Sequence, residues 1–426
     1  MSNQIGSLKM GQKFKKTPAG EIPVDWEARE LGDLCVNKPE YGANVSAIEF
    51  QEGLPRYVRI TDINDNGTLI STGVKSIRKE DAKGYQLGDG ELIFARSGAT
   101  VGKTYLYRKS DGPCAFAGYT IRFKPNPSYL LPDFLFQFTH SSFYYQWVKG
   151  VLRAGAQPNI NGSEYSGLIL PVPPIKEQDR IISILSSVDA LASKISEEIE
   201  KTKELKKGLM HQLLTRGIGH KKFKKTPLGP IPAEWGVMPI KSLAGEMLNG
   251  GTPDTTNKQY WSGDIPWISG ADFSDQKVDT FRRHITPDAV ENSATNVIPA
   301  GALLVVTRTG VGKLAIAPVD IAISQDITGI IPKTTLISPE FMFWVLNFYI
   351  AKLKANHQGT SINGILREDL ESFLLPIPPL PEQQEITRIL MGCDDSLSKQ
   401  DLSLTNLTTL KKGLMNMLLT GKLRVN

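Results

Sequence analysis

The sequence contains an internal duplication with a long period. The segment Phe14-Lys-Lys-Thr-Pro18 returns 209 residues later as Phe223-Lys-Lys-Thr-Pro227, and Lys206-Lys-Gly-Leu-Met210 returns 205 residues later as Lys411-Lys-Gly-Leu-Met415. Solenoid repeats are only about 20–50 residues long, so a repeat of this length predicts a folded domain in each half of the chain. The duplication therefore predicts a pseudo-twofold molecule.

The two halves agree at their ends and differ in their interiors. The offset between matching residues is 209 at Trp26 and Trp235, and it is 212 if Arg96 is aligned with Arg308. Residues 37–44 read Asn-Lys-Pro-Glu-Tyr-Gly-Ala-Asn, whereas residues 249–256 read Asn-Gly-Gly-Thr-Pro-Asp-Thr-Thr. This pattern indicates that the two halves share one fold but present different functional surfaces.

The composition is typical of a soluble globular protein. The 426 residues are 40% hydrophobic, which is enough to bury two ordinary cores. The longest apolar stretches are shorter than a membrane span and the polar start lacks a signal-peptide core, so we expect a cytoplasmic protein. Three cysteines without CxxC spacing argue against a disulfide framework or a structural zinc site. The net charge of +5 is compatible with DNA binding without requiring it.

Each half also contains a heptad pattern after its Pro-Pro pair, which is the pattern of a coiled-coil helix. The first seam consists of Ile181, Val188, Ile195, Thr202 and Leu209 with Leu185, Ala192, Ile199 and Leu213. The second consists of Ile386, Cys393, Gln400, Leu407 and Leu414 with Leu390, Leu397, Leu404 and Leu418. Gly217 and Gly421 are placed to end the two helices. We predict an antiparallel intramolecular coiled coil, with separate helices packed on their own domains as the alternative.

The globular parts predict an α+β fold. Short β-rich runs at residues 90–95 and 301–306 are bounded by glycine, and residues 132–148 and 339–353 are one helix candidate in each half. We therefore expect two tandem α/β domains joined and spaced by two long helices. The expected boundaries are residues 1–174 for the first domain, 175–216 for the first helix, 217–379 for the second domain and 380–426 for the second helix and tail.

Catalytic motifs are weak in this sequence. The stretch from Gly98 to Thr104 has only three residues between its glycines, whereas a P-loop needs four, so a structural turn is the better interpretation. Asp254, Asp275 and Lys277 have the outline of a magnesium nuclease, which is one alternative function. A coiled-coil scaffold without a DNA role is the other alternative. The sequence has neither an HExxH pair nor a GxSxG elbow.

An ordered set of motifs occurs twice at domain spacing. Ile-Pro-x-x-Trp occurs at 22–26 and 231–235, Leu-Pro-x-Pro-Pro-x-x-Glu-Gln at 170–178 and 375–383, and Leu-Lys-Lys-Gly-Leu-Met at 205–210 and 410–415. This set resembles the specificity subunit of type I restriction–modification systems. The resemblance implies two target-recognition domains and paired helices in a subunit that is not itself a catalyst. It also implies double-stranded DNA, two methyltransferase subunits and two ATP-driven translocase-nuclease subunits as partners, with S-adenosylmethionine, ATP and magnesium bound by those partners.

Two different surfaces on one frame would read an asymmetric two-part DNA site. We expect half-sites centred about 10 base pairs apart, because one helical turn brings both major grooves to one face of the duplex. A methyltransferase beside each domain could then flip out and modify one adenine in each half-site.

Candidate DNA contacts are side chains in the divergent loops whose donors and acceptors match base edges or phosphates. They are Asn44, Ser46, Arg59, Arg96, Lys103, Gln157 and Asn159 in the first half and Thr252, Thr255, Asn257, Lys258, Arg308, Lys313, Thr360 and Ser361 in the second. Arg96 and Arg308 are the strongest candidates for base contacts. The alternative is a purely structural role, in which each arginine forms an ion pair with a carboxylate of its own domain. Asp62 and Asp272 are interpreted as turn or cap residues.

The helices are expected to bind protein rather than DNA. Charged residues such as Glu197, Glu198, Lys201 and Glu204 flank the apolar seam, where they are either a solvated face or a partner-selecting surface. The Glu-Gln pairs at 177–178 and 382–383 are either docking points or N-terminal caps, and capping is the safer interpretation.

Overall fold

A computed structural model describes residues 13–152, 158–274, 276–355 and 364–425. It divides into two compact units. Unit 1 comprises Met1–Ser196 and Leu402–Asn426, and unit 2 comprises Glu197–Asp401. Each of the two long helices therefore contributes one part of its length to unit 1 and the other part to unit 2.

Unit 1 is an α+β unit made mostly of short strands. Its strands are β1 (Phe14–Thr17), β2 (Gly20–Pro23), β3 (Glu27–Glu30), β4 (Glu40–Tyr41), β5 (Ile48–Glu49), β6 (Arg56–Val58), β7 (Lys75–Ser76), β8 (Leu92–Ala95), β9 (Thr104–Leu106), β10 (Cys114–Phe116), β11 (Thr120–Phe123) and β12 (Ile169–Val172). Its helices are α1 (Pro132–Phe138), α2 (Ser142–Val151), α3 (Gly162–Ser166), the first part of α4 (Ile175–Arg216) and the last part of α9 (Leu380–Leu418).

Unit 2 has the same kind of construction. Its strands are β13 (Phe223–Thr226), β14 (Gly229–Pro232), β15 (Gly236–Pro239), β16 (Ala244–Asn249), β17 (Ile265–Ile268), β18 (Arg283–Ile285), β19 (Asn296–Ile298), β20 (Leu303–Val306), β21 (Leu314–Ile316), β22 (Ile321–Ile323), β23 (Ile327–Pro332) and β24 (Leu374–Ile377). Its helices are the last part of α4, α5 (Ile240–Leu243), α6 (Pro287–Glu291), α7 (Pro339–Ala355), α8 (Arg367–Ser372) and the first part of α9 (Leu380–Leu418).

The sheets of the two units correspond to each other. A four-stranded sheet has the order β4-β11-β8-β9 in unit 1 and β16-β23-β20-β21 in unit 2. A second four-stranded sheet contains the parallel pair β6–β10 in unit 1 and the parallel pair β17–β22 in unit 2. A hairpin opens each unit, and a two-stranded sheet, β3–β12 or β15–β24, leads the chain into its long helix. The predicted α+β domains are confirmed.

Helices α4 and α9 pack together in an antiparallel arrangement within each unit. In unit 1, Lys411 Nζ lies 2.6 Å from Asp189 Oδ1. In unit 2, Lys206 pairs with Asp394, at positions exactly one repeat away from that first pair. The heptad seam residues of both helices are buried or half-buried, as the coiled-coil interpretation requires. Gly217 and Gly421 follow the two helices with φ of 63° and 69°, so both predicted helix ends are confirmed.

The predicted helix at 132–148 is wrong in one respect, because the structure breaks it between α1 and α2. Thr139 Oγ1 donates to the Phe136 carbonyl at 2.8 Å and lies 2.7 Å from Thr104 Oγ1 on the neighbouring strand. Ser141 then caps α2 by accepting from Tyr144 N at 3.3 Å. In unit 2, α7 runs unbroken over Pro339–Ala355.

The Glu-Gln pairs join each long helix to the domain before it. Gln178 is fully buried at 0% exposure, and its side chain accepts from Leu131 N at 2.9 Å and donates to the carbonyls of Tyr129 and Pro173. Gln383 makes the same three bonds in unit 2, with Ser338 N and the carbonyls of Leu336 and Pro378.

The glutamates of these pairs bind a buried tryptophan. Trp26 Nε1 donates to Glu177 at 3.0 Å, and Trp235 Nε1 donates to Glu382 at 2.9 Å. Arg424 provides a second partner for Glu177, at 2.6 Å from Nε, and His220 Nε2 lies 2.8 Å from Glu382. Both interpretations of these pairs, as docking points and as helix caps, are therefore wrong, because the side chains are turned inward to the domain.

We predict that Gln178→Leu and Gln383→Leu each destabilise their unit by at least about 2 kcal/mol. The substitution leaves one N–H and two carbonyls, each buried or half-buried, without a partner, and a buried unsatisfied group costs about 1–3 kcal/mol. Urea unfolding followed by circular dichroism measures the loss. Gln212→Leu on the exposed face of α4 is the matched control. A loss at Gln178 no larger than at Gln212 would contradict the prediction.

Candidate nucleic-acid interface

One glycine fixes the start of a divergent loop in each unit. A Cβ on Gly42 would lie 2.3 Å from the Ala117 carbonyl oxygen, and a Cβ on Gly250 would lie 2.2 Å from the Ser324 carbonyl oxygen. These contacts leave no room for a side chain, so the backbone passes the neighbouring turn at the same distance in both units. Two residues further on, Asn44 and Thr252 occupy corresponding exposed positions.

Backbone hydrogen bonds also show which residues correspond just after strands β8 and β20. Arg96 N donates to the Tyr119 carbonyl at 3.0 Å, and Thr307 N donates to the Asp326 carbonyl at 2.8 Å. Thr307, rather than Arg308, is therefore the counterpart of Arg96. The loop that follows is one residue shorter in unit 2, so the sequence alignment that pairs the two arginines is wrong.

Arg96 lies at an exposed aromatic surface of unit 1. Its guanidinium stacks on the Tyr41 ring at 4.8 Å from the centroid, and its Nε is buried without a hydrogen-bond partner among the described residues. The bland alternative of an ion pair with a carboxylate is not what the described residues show. Tyr119, beside it, is 63% exposed although it is a large aromatic residue. Asn159 pairs with Ser97 and is exposed at the same loop.

A cleft of about 330 Å³ lies next to this surface. Asn44, Arg59 and Tyr119 contribute to its lining. Arg59 is already engaged, because its Nε and Nη2 lie 3.0 and 2.6 Å from the Asp62 carboxylate and Nη2 also donates to the Gly73 carbonyl at 3.0 Å. Asp62 in turn accepts from Arg59 N at 2.9 Å, so its predicted role as a cap is confirmed.

The corresponding surface of unit 2 contains a larger cleft, of about 740 Å³. Arg308, Gln325 and Arg367 are among its lining residues. Arg308 is exposed, and Thr252 donates a short hydrogen bond to Gln325 across the neighbouring loops. The guanidinium of Arg367 is tied down by Glu371 at 2.7 Å and by the Met247 carbonyl at 3.1 Å.

Asp272 is the centre of an arginine cluster in unit 2. Its buried carboxylate accepts from Ser269 N at 2.8 Å and from Ser269 Oγ at 2.9 Å, which confirms the predicted cap. Arg282 Nε donates to the same carboxylate at 2.5 Å. Arg283 Nη2 lies 3.6 Å from it and the guanidinium stacks on the Trp267 ring at 4.2 Å. Burial raises the pKa of Asp272, but the hydrogen bonds from Arg282 and Ser269 outweigh burial, so the pKa lies below its ordinary value.

Two of the three candidate lysines, Lys103 and Lys313, cross-link loops within their units. Lys103 Nζ lies 2.8 Å from Asp65 and 3.4 Å from the Ile63 carbonyl oxygen. Lys313 Nζ donates to the carbonyls of Phe273 at 3.2 Å and Gly270 at 3.3 Å. Their contact with phosphate stays a prediction. The structure confirms that the glycine-lysine stretch at 98–104 is a turn, since it contains a short 3-10 helix at Gly98–Thr100.

The remaining candidates are distributed over the divergent loops. Ser46, Thr255 and Lys258 are exposed, and Asn257 caps a short helix by accepting from Gln259 N at 3.1 Å. Gln157, Thr360 and Ser361 lie outside the described residues, as does Asp275 of the nuclease alternative. Asp254 uses its carboxylate in a turn, where it accepts from Thr256 N at 2.9 Å. Within the described ranges, no group of three or more His, Cys, Asp or Glu residues could hold a metal ion.

Sequence reasoning missed Tyr119, Arg282 and Arg283. An exposed tyrosine in a tight turn carries no sequence signal of its own. The Arg282-Arg283 doublet has no counterpart in the first half of the chain, and that difference was the available signal. The divergent interiors are where recognition residues were expected, so an unmatched basic pair there was a candidate.

Comparison with known proteins agrees with this geometry. The family described as type I restriction modification DNA specificity domain matches residues 23–201 and 232–405. The chain is 30% identical over 424 residues to the putative type I restriction enzyme MjaX specificity subunit of Methanocaldococcus jannaschii, covering 97% of each protein. It is 29% identical over 242 residues to the type I restriction enzyme EcoR124I/EcoR124II specificity subunit of Escherichia coli, covering 54% of this chain and 56% of that protein.

Solved structures share the fold. The type I restriction-modification S subunit from M. genitalium has a TM-score of 0.59 at 14% identity, with 96% of this chain and 99% of that chain covered. A chain from a type I R-M system, solved to explain complex assembly and conformational transition, has a TM-score of 0.58 at 20% identity and covers 94% of this chain and 99% of its own. These two structures thus share the fold of this chain. The chain belongs to the type I restriction–modification DNA specificity family, whose members recognise DNA and are not the catalysts. Among the residues that the structure describes, no helix is both long and apolar enough to cross a membrane.

We predict that Gly42→Ala destabilises unit 1 by roughly 1–3 kcal/mol, because the added methyl group meets two backbone carbonyls that cannot move aside cheaply. Thermal unfolding measures the change. Gly413→Ala is the control, since nothing lies within 4 Å of its added Cβ and a glycine-to-alanine change inside a helix stabilises by about 0.5–1 kcal/mol. Equal shifts of the two melting temperatures in one direction would refute the close approach at Gly42.

We predict that Asp272→Asn lowers stability most at neutral pH. A carboxyl group whose pKa is depressed by folding stabilises the folded state above its ordinary pKa of 3.8 and loses that contribution as the pH falls through the folded value. The difference in unfolding free energy between wild type and variant should therefore be constant near neutrality and shrink below about pH 4. Urea titrations between acidic and neutral pH test this. A difference that grew on acidification would exclude an ionised Asp272.

Proposed function

We propose that each unit reads one half of an asymmetric two-part DNA target. The observation that carries the proposal is that one backbone frame presents different side chains at corresponding positions. Asn44 corresponds to Thr252, and Tyr119 corresponds to Asp326. If the two surfaces served the same ligand, their exposed residues would be expected to agree as closely as the frame does.

The side chains on these surfaces suit base readout. Asn can pair with adenine and Arg with guanine in the major groove, while Lys and backbone amides hold phosphates. The half-buried Arg96 stacks on the exposed Tyr41 in unit 1, and unit 2 presents Arg308 together with the cluster around Asp272. We propose half-sites centred about 10 base pairs apart, separated by base pairs that are not read.

The exposed faces of α4 and α9 support protein partners. Leu205 is 58% exposed, and Leu410, one repeat later, is 51% exposed. An exposed leucine repeated at equivalent positions fits two copies of one partner, which we take to be two methyltransferase subunits. Glu197, Glu198 and Lys201 are exposed on the same helix as Leu205, as a partner-selecting surface would require.

The rest of the complex follows from the family. We propose two translocase-nuclease subunits in addition to the methyltransferases, with S-adenosylmethionine, ATP and magnesium on those subunits. The expected location is the cytoplasm, where the DNA target lies. We propose the domain boundaries at residues 1–174, 175–216, 217–379 and 380–426, to which the starts of α4 and α9 correspond.

We predict that Asn44→Ala and Thr252→Ala relax opposite halves of one methylation motif. Each substitution removes a donor or acceptor from one unit only, and a lost base contact costs about 1–3 kcal/mol of discrimination. Single-molecule mapping of N6-methyladenine in cells that express the chain with its methyltransferase measures both halves at once. Cells with the methyltransferase alone are the control.

The mapping also separates the rival functions. A new two-part motif that depends on the chain supports recognition, and the half left unchanged in each variant shows that the complex still folds. Methylation that is the same with and without the chain, in a stable purified complex, would overturn the proposal. Magnesium-dependent cutting of DNA by the purified chain would instead favour a nuclease, whose Asp254 is engaged in a turn in this structure.

A further inference from the structure

We propose that Arg282 recognises a guanine in the half-site read by unit 2 and that Asp272 is the residue that positions it. This inference rests on the proposed function and deepens it, since it assigns one base to one side chain. The main evidence is the geometry of the Arg282 guanidinium. A buried carboxylate holds its Nε, while among the described residues its Nη1 and Nη2 are left free to bind a ligand.

The anchor is rigid. The side chain of Asp272 is 1% exposed, and that of Arg282 is 56% exposed. Besides the bond from Arg282 Nε, the carboxylate accepts two bonds from Ser269, so it cannot rotate without leaving a half-buried donor unpaired. The Nε end of Arg282 is therefore held in place while the rest of the group reaches solvent.

The open edge has the chemistry of guanine recognition. Within the described part of the chain, Nη1 and Nη2 of Arg282 make no hydrogen bond to protein. Guanine presents O6 and N7 as adjacent acceptors in the major groove, and two parallel N–H groups of one arginine pair with both. A guanidinium that is already fixed loses less conformational entropy when it binds.

The turn that anchors Arg282 lies against the loop of Arg308. The turn that contains Asp272 packs against that loop, since a Cβ on Gly270 would lie 2.5 Å from the Thr309 carbonyl oxygen. Arg283, next to Arg282, is 42% exposed and stacked on Trp267. Arg282 and Arg283 both face the one buried carboxylate of Asp272, so this cluster has an excess of positive charge, which favours DNA.

In unit 1 the corresponding buried acid is Asp62, but its arginine, Arg59, has less of its guanidinium free. Arg59 spends its Nε and Nη2 on Asp62, and Nη2 also donates to the Gly73 carbonyl. A side chain with that edge occupied cannot offer a bidentate pair through it. No guanine is therefore assigned to Arg59 in this way, and the proposal concerns only the half of the target read by unit 2.

The test is the conservative variant Arg282→Lys in the complete complex with its methyltransferase. Lysine keeps the charge and loses the fork, so a phosphate contact would leave the motif unchanged. We expect one guanine position, in the half that Thr252→Ala identifies, to accept other bases as discrimination falls roughly 5- to 100-fold. The half-site read by unit 1 should be retained, which shows that the complex still folds and binds.

A binding measurement on modified DNA supplies the second readout. Replacing that guanine by 7-deazaguanine removes the N7 acceptor, which should weaken wild-type binding about tenfold and leave the affinity of Arg282→Lys unaffected. Asp272→Asn should reduce the wild-type preference for guanine without shifting it to another position. Equal losses for wild type and Arg282→Lys would overturn the contact.

The failures are distinguishable. A wild-type complex that yields no two-part motif overturns the proposed function itself. A wild-type motif that Arg282→Lys leaves intact, or one without guanine in the half read by unit 2, overturns only the assignment of Arg282.

Discussion

The bond between a buried glutamate and a buried indole connects the recognition surfaces to the helices. Trp26 and Trp235 are each 0% exposed, and their ring nitrogens donate to Glu177 and Glu382 in the first turn of a long helix. A carboxylate at such a site is expensive unless it is hydrogen-bonded, so the first residues of a unit and the start of its helix must assemble together. The direction of the helix is thereby set by the domain, and the loops of the domain acquire a fixed relation to the helix within that unit.

The two units differ in sequence mainly where their shared backbone leaves room for different side chains. The glycines at 42 and 250 cannot change because a side chain would collide with backbone, whereas Asn44 and Thr252, two residues later, point outward and differ freely. The buried acids show the same division in another form. Asp62 and Asp272 keep one position and one capping role, but the arginine that each holds comes from a different element of its unit.

The duplication and the heptads in the sequence predicted the fold better than they predicted the DNA-contacting residues. Heptads are local and repeated, so the helix pair was predictable, but the break at Thr139 depends on a partner strand and was not. The pairing of Arg96 with Arg308 failed because a one-residue difference in loop length is visible only through strand hydrogen bonds, which place Thr307 there instead. Arg282 was missed because its significance comes from Asp272, which a turn brings beside it.

The division of the chain between the units also constrains the order in which they can be completed during synthesis. Domains generally fold as they emerge, with the amino-terminal one first. Unit 2 is one continuous stretch, Glu197–Asp401, but unit 1 also requires Leu402–Asn426. Until the ribosome has passed that last stretch, Asp189 lacks Lys411 and Glu177 lacks Arg424. The half of the protein that is begun first is therefore the half that is finished last.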